Sequence, residues 1–204
     1  MDLIKRNYGW VLVAIFALLP LLPISGLIIT AITEGVFTNN MGPGGKETLG
    51  MLYHISGEFA IRWMTAVLTL TPFFILFGVT NLFVRQAMGI STAFWSFLHF
   101  IIFIWAEGLV ETFTQVNYVA GFIATLILIP LFFTSNRKSM KRLKTNWKKL
   151  QRFAYLAAVL GLLHVIILEK TWTIYAIILI IGFMIRIPII KERIIKKRIG
   201  LKNK

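Results

Sequence analysis

The sequence has no cysteine, which excludes disulfide bridges, thiolate metal sites, iron–sulfur clusters and cysteine nucleophiles together. Acidic residues are also scarce. Asp+Glu number 8, and the one aspartate, Asp2, stands at the N-terminus, so a Ser/His/Asp triad has no material. There is no GxGxxG, no Walker loop and no HExxH, which removes the commonest nucleotide and zinc-hydrolase signatures. Charged residues make up only 15% of the chain and hydrophobic ones 57%, with a mean hydropathy of +0.78. Soluble domains carry about 25% charged and about 45–50% apolar residues. Neither a soluble globule nor a disordered chain fits. The composition implies one membrane domain over residues 1–204.

What is abundant is long apolar sequence. A helix needs about 20 predominantly apolar residues to cross a bilayer. Six runs approach this: 8–32, 59–84, 91–105, 119–133 (extended by Tyr118 and Thr134), 150–168 and 172–190. None alternates with period two, as a barrel wall would. The expectation is an all-α, polytopic bundle of six transmembrane helices. Pro20 and Pro23 should kink the first. That first run is longer than the roughly 7–15 residues of a signal-peptide core, so it is expected to be a retained helix.

The 22 Lys+Arg residues set the orientation. Lys5 and Arg6 precede the first run and Arg85 lies between the second and third. The densest groups fall in 136–149, continuing to Arg152, and in 191–204. The opposite side carries only Lys46, Arg62 and Lys170. By the positive-inside rule both termini are expected to be cytoplasmic, with 136–149 and 191–204 as basic cytoplasmic segments. Such segments attract anionic membrane lipid, and no nucleic-acid partner is expected. Residues 34–47, with Asn39, Asn40, Gly42, Pro43, Gly44 and Gly45, read as a turn-rich loop on the other side. No repeat or separate soluble domain is evident, so a nucleotide-binding or catalytic domain is expected on another chain.

Ionisable groups at membrane depth are costly and are functional candidates by default. His99 follows Ser91 by 8 residues and His164 follows Phe153 by 11. At 1.5 Å per residue each should lie about 12–17 Å from the cytoplasmic ends of their helices. Two histidines at matching depth suit the axial positions of a haem iron, a structural hydrogen-bond role, or a proton relay. No carboxylate occupies the neighbouring turns, which disfavours a hard dication. Ala154, Ala157, Ala158 and Gly161 form a small-residue face before His164, suited to a flat macrocycle or to close helix packing. His54 should be near the outer surface, either solvated or contacting a second cofactor or a substrate. Glu58 and Arg62, four apart, can pair on one helix face. Arg62 is either a snorkelling residue or an anchor for a propionate or quinone oxygens. Glu107 and Glu111 read as a solvated loop face.

Several strings, in order, carry a resemblance. They are His54-Ile55-Ser56-Gly57-Glu58-Phe59-Ala60-Ile61-Arg62-Trp63, Leu68-Thr69-Leu70-Thr71-Pro72, Arg85-Gln86-Ala87-Met88-Gly89-Ile90 and Phe97-Leu98-His99. Phe132-Phe133-Thr134-Ser135-Asn136, Trp147 through Tyr155, and Leu163-His164 follow. Across about residues 50–170 the set resembles the haem-binding membrane subunit of the periplasmic methionine-sulfoxide reductase system (the YedZ/MsrQ family), within the ferric-reductase-like transmembrane superfamily. The resemblance implies a bacterial inner-membrane, multi-pass protein with haem b, ligated by His99 and His164. It also implies electron transfer to a periplasmic molybdopterin-containing reductase from a quinol or flavin-reductase donor. Arg152, Trp147 and Arg62 become candidates for propionate or interfacial contacts. At the position of Gln151 the family usually has histidine, associated with a second haem. One haem is therefore expected, with a second only through His54, and FMN or quinone as a further carrier. The alternatives are a stand-alone ferric or quinone reductase and a haem-free transporter or scaffold.

Overall fold

A computed structural model describes residues 8–38 and 42–202, with side chains through Gly200. Asp2, Lys5, Arg6, Asn39, Asn40 and Lys204 lie outside the described residues. The described chain is helical throughout, in the order α1 Tyr8–Leu18, α2 Leu21–Thr33, α3 Gly45–Phe77, α4 Leu82–Glu107, a 3-10 turn Val110–Phe113, α5 Val116–Thr134, α6 Arg137–Leu143, α7 Thr145–Gln151, α8 Phe153–Ile167, α9 Thr173–Arg186 and α10 Pro188–Lys202. Five spans are long and apolar enough to cross a membrane: Tyr8–Thr33, Gly45–Phe77, Leu82–Glu107, Val116–Thr134 and Thr145–Ile167. The sixth apolar run is broken. α9 and α10 meet at a 77° bend around Ile187, because Pro188 disfavours helical backbone in the residue before it. The molecule is an all-α polytopic membrane bundle. Large apolar side chains such as Phe16, Leu22, Phe77, Val159 and Ile180 are exposed around its girdle, where lipid covers them.

Local chemistry explains the boundaries, and corrects two of them. The second span is displaced towards the N-terminus: α3 begins at Gly45, not near Phe59, and ends at Phe77. Gly78 terminates it with φ +71, the left-handed conformation glycine adopts without penalty, and returns its N–H to the Phe74 carbonyl. Asn81 then caps α4, its side-chain oxygen accepting from the N–H groups of Phe83 and Val84, each at 3.1 Å. The third span therefore starts at Leu82, nine residues before the expected Ser91. In the first span the ladder is interrupted at Pro20, and the indole of Trp95 donates to the Ala17 carbonyl at 3.0 Å.

The basic segments define one end of the bundle, hereafter the basic end. Gly9 abuts Val84 there, and Arg198 of α10 donates to the Ile75 carbonyl at 2.6 Å, a cation at the C-terminus of α3. Both ends of the described chain thus lie at the same end. α3 and α4 form the central pair. α1 and α2 pack on one side of it, α9 on another, and α5 closes against α4 and α8. One core cluster joins α2, α3 and α4 around Ile24, Leu52 and Trp95, all essentially inaccessible. A second joins α3, α4, α5, α8 and α9 around Met64, Ala93, Leu128, Ala157 and Ala158. Ala157 and Ala158 serve close packing here, and Gly161 of the same face is left to line a cavity.

Candidate functional site: a histidine pair in an inter-helical cavity

α3, α4, α5 and α8 enclose a cavity of about 330 Å³ in the half of the bundle remote from the basic end. Its wall includes His99 on α4, His164 on α8, Gly57 on α3, and Gly121 and Phe122 on α5. The two imidazole centres are 6.3 Å apart with ring planes at 73°. The expected mid-helix depth does not hold for both. His164 is three residues before the end of α8 at Ile167, and His99 is eight before the end of α4 at Glu107. The pair sits towards the far end, because α4 starts nine residues earlier than the apolar run implies and His164 stands in the last turn of α8.

Each ring is held through Nδ1. His99 Nδ1 lies 2.9 Å from Ser56 Oγ, whose own hydroxyl hydrogen goes to the Leu52 carbonyl at 2.6 Å. The serine therefore accepts, and Nδ1 of His99 carries the proton. His164 Nδ1 is 2.7 Å from the backbone carbonyl of Asn117, which can only accept, so Nδ1 is again the protonated nitrogen. Both Nε2 atoms are left with a free lone pair. This is the arrangement by which an outer hydrogen bond fixes the tautomer and orientation of a metal-binding imidazole.

Glycines make the close approach possible. A Cβ at Gly57 would stand 3.2 Å from His99 Cε1, and one at Gly121 would stand 3.1 Å from His164 Nδ1. Both are tighter than ordinary van der Waals contact. The cavity mouth is polar: Tyr53, His54, Glu58, Glu107, Tyr118 and Lys170 line it. Tyr53 stands edge-on to His99 at 6.3 Å between ring centres and donates to Glu107 Oε1 at 3.1 Å. Thr112 Oγ1, on the same wall, is buried without a partner.

Other expected site residues lie elsewhere. His54 is exposed at the mouth. Arg62 is outside the cavity wall; it pairs with Glu58 at 2.9 Å and also donates to Tyr175 Oη, which itself bonds Glu58. Trp147 lines a separate, smaller cavity of about 100 Å³ at the basic end, its indole donating to the Thr134 carbonyl at 2.9 Å. Gln151 lines that cavity too, with Nε2 3.3 Å from Thr134 Oγ1. Arg152 is exposed at the α7–α8 junction. Sequence reasoning missed Ser56, Gly57, Asn117, Gly121 and Tyr53 as supports of the pair, and Arg186 as a part-buried cation. The position of Ser56 and Gly57 in the histidine-bearing string was the one signal that could have found any of them. The role of Asn117 is exerted by a backbone carbonyl and leaves no side-chain signature.

Residues 56–162 match the family described as the ferric reductase like transmembrane component. Curated relatives carry the name protein-methionine-sulfoxide reductase heme-binding subunit MsrQ. The Agrobacterium fabrum protein is 31% identical over 127 residues, covering 59% of each chain. That of Rhizobium meliloti is 34% identical over 118 residues, covering 54% of this chain and 55% of the relative. That of Deinococcus radiodurans is 34% identical over 128 residues, covering 59% and 63%. The matches thus span about three fifths of these relatives' lengths. No solved structure matches. The family match begins at Ser56, which holds His99, and takes in most of the cavity wall; on it, the chain belongs to the ferric-reductase-like transmembrane family.

Proposed function

We propose that this chain is the haem-binding, electron-transferring membrane subunit of an oxidoreductase system, with His99 and His164 as the two axial ligands of one b-type haem. The observation that carries the reading is the pair itself: two imidazoles on different helices, both fixed through Nδ1, with ring centres 6.3 Å apart. A metal–imidazole bond of about 2 Å, plus about 1.1 Å from nitrogen to ring centre on each side, gives roughly 6.2 Å for two opposed ligands. Among the described residues no three His, Cys, Asp or Glu converge as a cage for a bare ion. A two-donor site therefore suits a group that brings its own equatorial ligands. The aromatic wall, the glycines beside each ring and the unpartnered Thr112 hydroxyl fit a flat, largely apolar group with a few polar substituents.

A bound haem would supply reversible one-electron chemistry. The chain's residues hold both ligands in one tautomer, line the site with the apolar rings of Phe100, Phe103 and Phe122, and place it near a polar mouth. The name of the relatives supports a methionine-sulfoxide reductase partner. The reading places that partner, a molybdopterin reductase, in the periplasm, opposite the basic end. Both termini are then cytoplasmic, in a bacterial inner membrane, with electrons entering from a quinol or a flavin reductase. The test is a reduced-minus-oxidised absorption spectrum of purified wild type, His99→Ala and His164→Ala. A six-coordinate b-type spectrum, lost in both variants, is expected. A haem-replete preparation without a Soret band overturns the reading.

A further inference from the structure

The basic-end cavity gathers positive charge. Arg85 and Arg137 stand at its rim, and among the described residues no aspartate or glutamate lines it. Behind its wall Arg186 donates to Tyr155 Oη at 2.7 Å and to the Leu68 carbonyl, and Tyr155 and Leu68 themselves line the cavity. The Arg186 Nε is buried without a partner. Among the described residues the one salt bridge is Arg62–Glu58, outside this cavity. A part-buried guanidinium with an unpartnered N–H is costly, and an anion held at the rim by Arg85 and Arg137 would offset its charge.

We propose that this cavity binds an anionic phospholipid, its phosphate held by Arg85 and Arg137 with Arg186 adding field from behind, and an acyl chain along the apolar wall. Guanidinium forks match phosphate oxygens bidentately. Most of the lining is apolar, which a free phosphate cannot use and a lipid can. A neutral quinone leaves the charge uncompensated. The wall has no imidazole, so an iron macrocycle finds no nitrogen ligand there. The site lies at the end that carries the basic segments, where anionic lipid accumulates. The inference does not rest on the reading of the histidine pair.

The test uses the full chain in mild detergent, with phosphatidylglycerol, phosphatidylcholine or inorganic phosphate added in parallel. Lipid retention is read by native mass spectrometry and stability by the thermal midpoint. One phosphatidylglycerol per chain should be retained and raise the midpoint, while phosphatidylcholine and inorganic phosphate do neither. Arg85 and Arg137 are exposed at the rim, so the double variant Arg85→Gln/Arg137→Gln should fold. It should weaken phosphatidylglycerol binding at least about tenfold, as loss of charge-assisted hydrogen bonds does. The variant Lys46→Gln, exposed at the opposite end of α3, should leave binding within about twofold, as for substitutions away from the site. Equal retention of phosphatidylcholine, protection by inorganic phosphate, displacement by a neutral quinone, or equal loss in the Lys46→Gln control overturns the proposal.

Discussion

Ser56 accepts the Nδ1 hydrogen of His99 at 2.9 Å because its own hydroxyl hydrogen is committed to Leu52 one turn earlier. A fully buried serine thus converts a helix carbonyl into a fixed imidazole tautomer on the neighbouring helix. Ser56→Ala leaves the Nδ1 hydrogen unpaired, at a cost of about 1–3 kcal/mol. Loss of such an outer-shell partner commonly lowers affinity about 10–100-fold. Haem titration of the apoprotein should show that loss, with a shifted reduction potential for what still binds. Wild-type affinity and potential in Ser56→Ala would mean that the serine does not position the ring.

The glycines give a paired test. Gly121→Ala puts a methyl 3.1 Å from His164 Nδ1, and must push the ring or break its bond to Asn117. Gly26 lies mid-helix, and a methyl group added there would meet nothing within 4 Å. Gly26→Ala should therefore stabilise the fold by about 0.5–1 kcal/mol, the ordinary helix-propensity gain. Gly121→Ala should lose haem while remaining folded. Circular dichroism melts read the first effect and the Soret absorbance the second. Equal behaviour of the two variants would show that the approach to His164 is not tight.

How far these features were legible in the sequence differs by feature. Apolar runs of near-membrane length pointed to the all-α bundle, because a bilayer imposes length and composition on every span. Boundaries were less legible. α3 extends to Gly45 through Glu47, Tyr53, His54 and Glu58, polar residues that no hydropathy criterion joins to an apolar helix. His99 and His164 were legible as a pair because ionisable groups are rare in such runs. Their supports were not. Ser56 looks like any helix serine, and Asn117 acts through its backbone. The bend at Ile187 was signalled by Pro188, but the sixth apolar run reads straight through it.

Arg62 separates an anchoring role from a merely local one. Its guanidinium is engaged by Glu58 and Tyr175 and lies outside the cavity wall. Exposed i,i+4 pairs contribute about 0.3–0.5 kcal/mol. Arg62→Gln should change the thermal midpoint by no more than about a degree or two and leave haem content unaltered. Haem loss in this variant would show that the side chain turns inward when the cofactor is present.

Trp95 ties the first span to the bundle. It is inaccessible, stacks on Phe59 at 4.7 Å and donates to the Ala17 carbonyl left open near Pro20. Trp95→Phe keeps most of the packing but orphans that carbonyl and leaves a small void, costing about 1–3 kcal/mol. Protease sensitivity near residues 17–20 should rise in step with the fall in thermal midpoint. A lower midpoint without new cleavage there would place the loss in the core.

Gln151 decides the haem count. It faces the basic-end cavity, and no lining residue there offers an imidazole. His54, the third histidine, is exposed at the opposite end and cannot reach it. Purified protein should therefore give one haem per chain by pyridine haemochrome assay. Gln151→His adds one nitrogen donor but no opposed partner, so the count should stay at one. The unchanged wild-type spectrum in that variant would confine ligation to His99 and His164. Two haems per wild-type chain would instead require His54 at the far mouth or a ligand other than histidine at the basic end, with Met64 or Met140 of that wall the first to substitute.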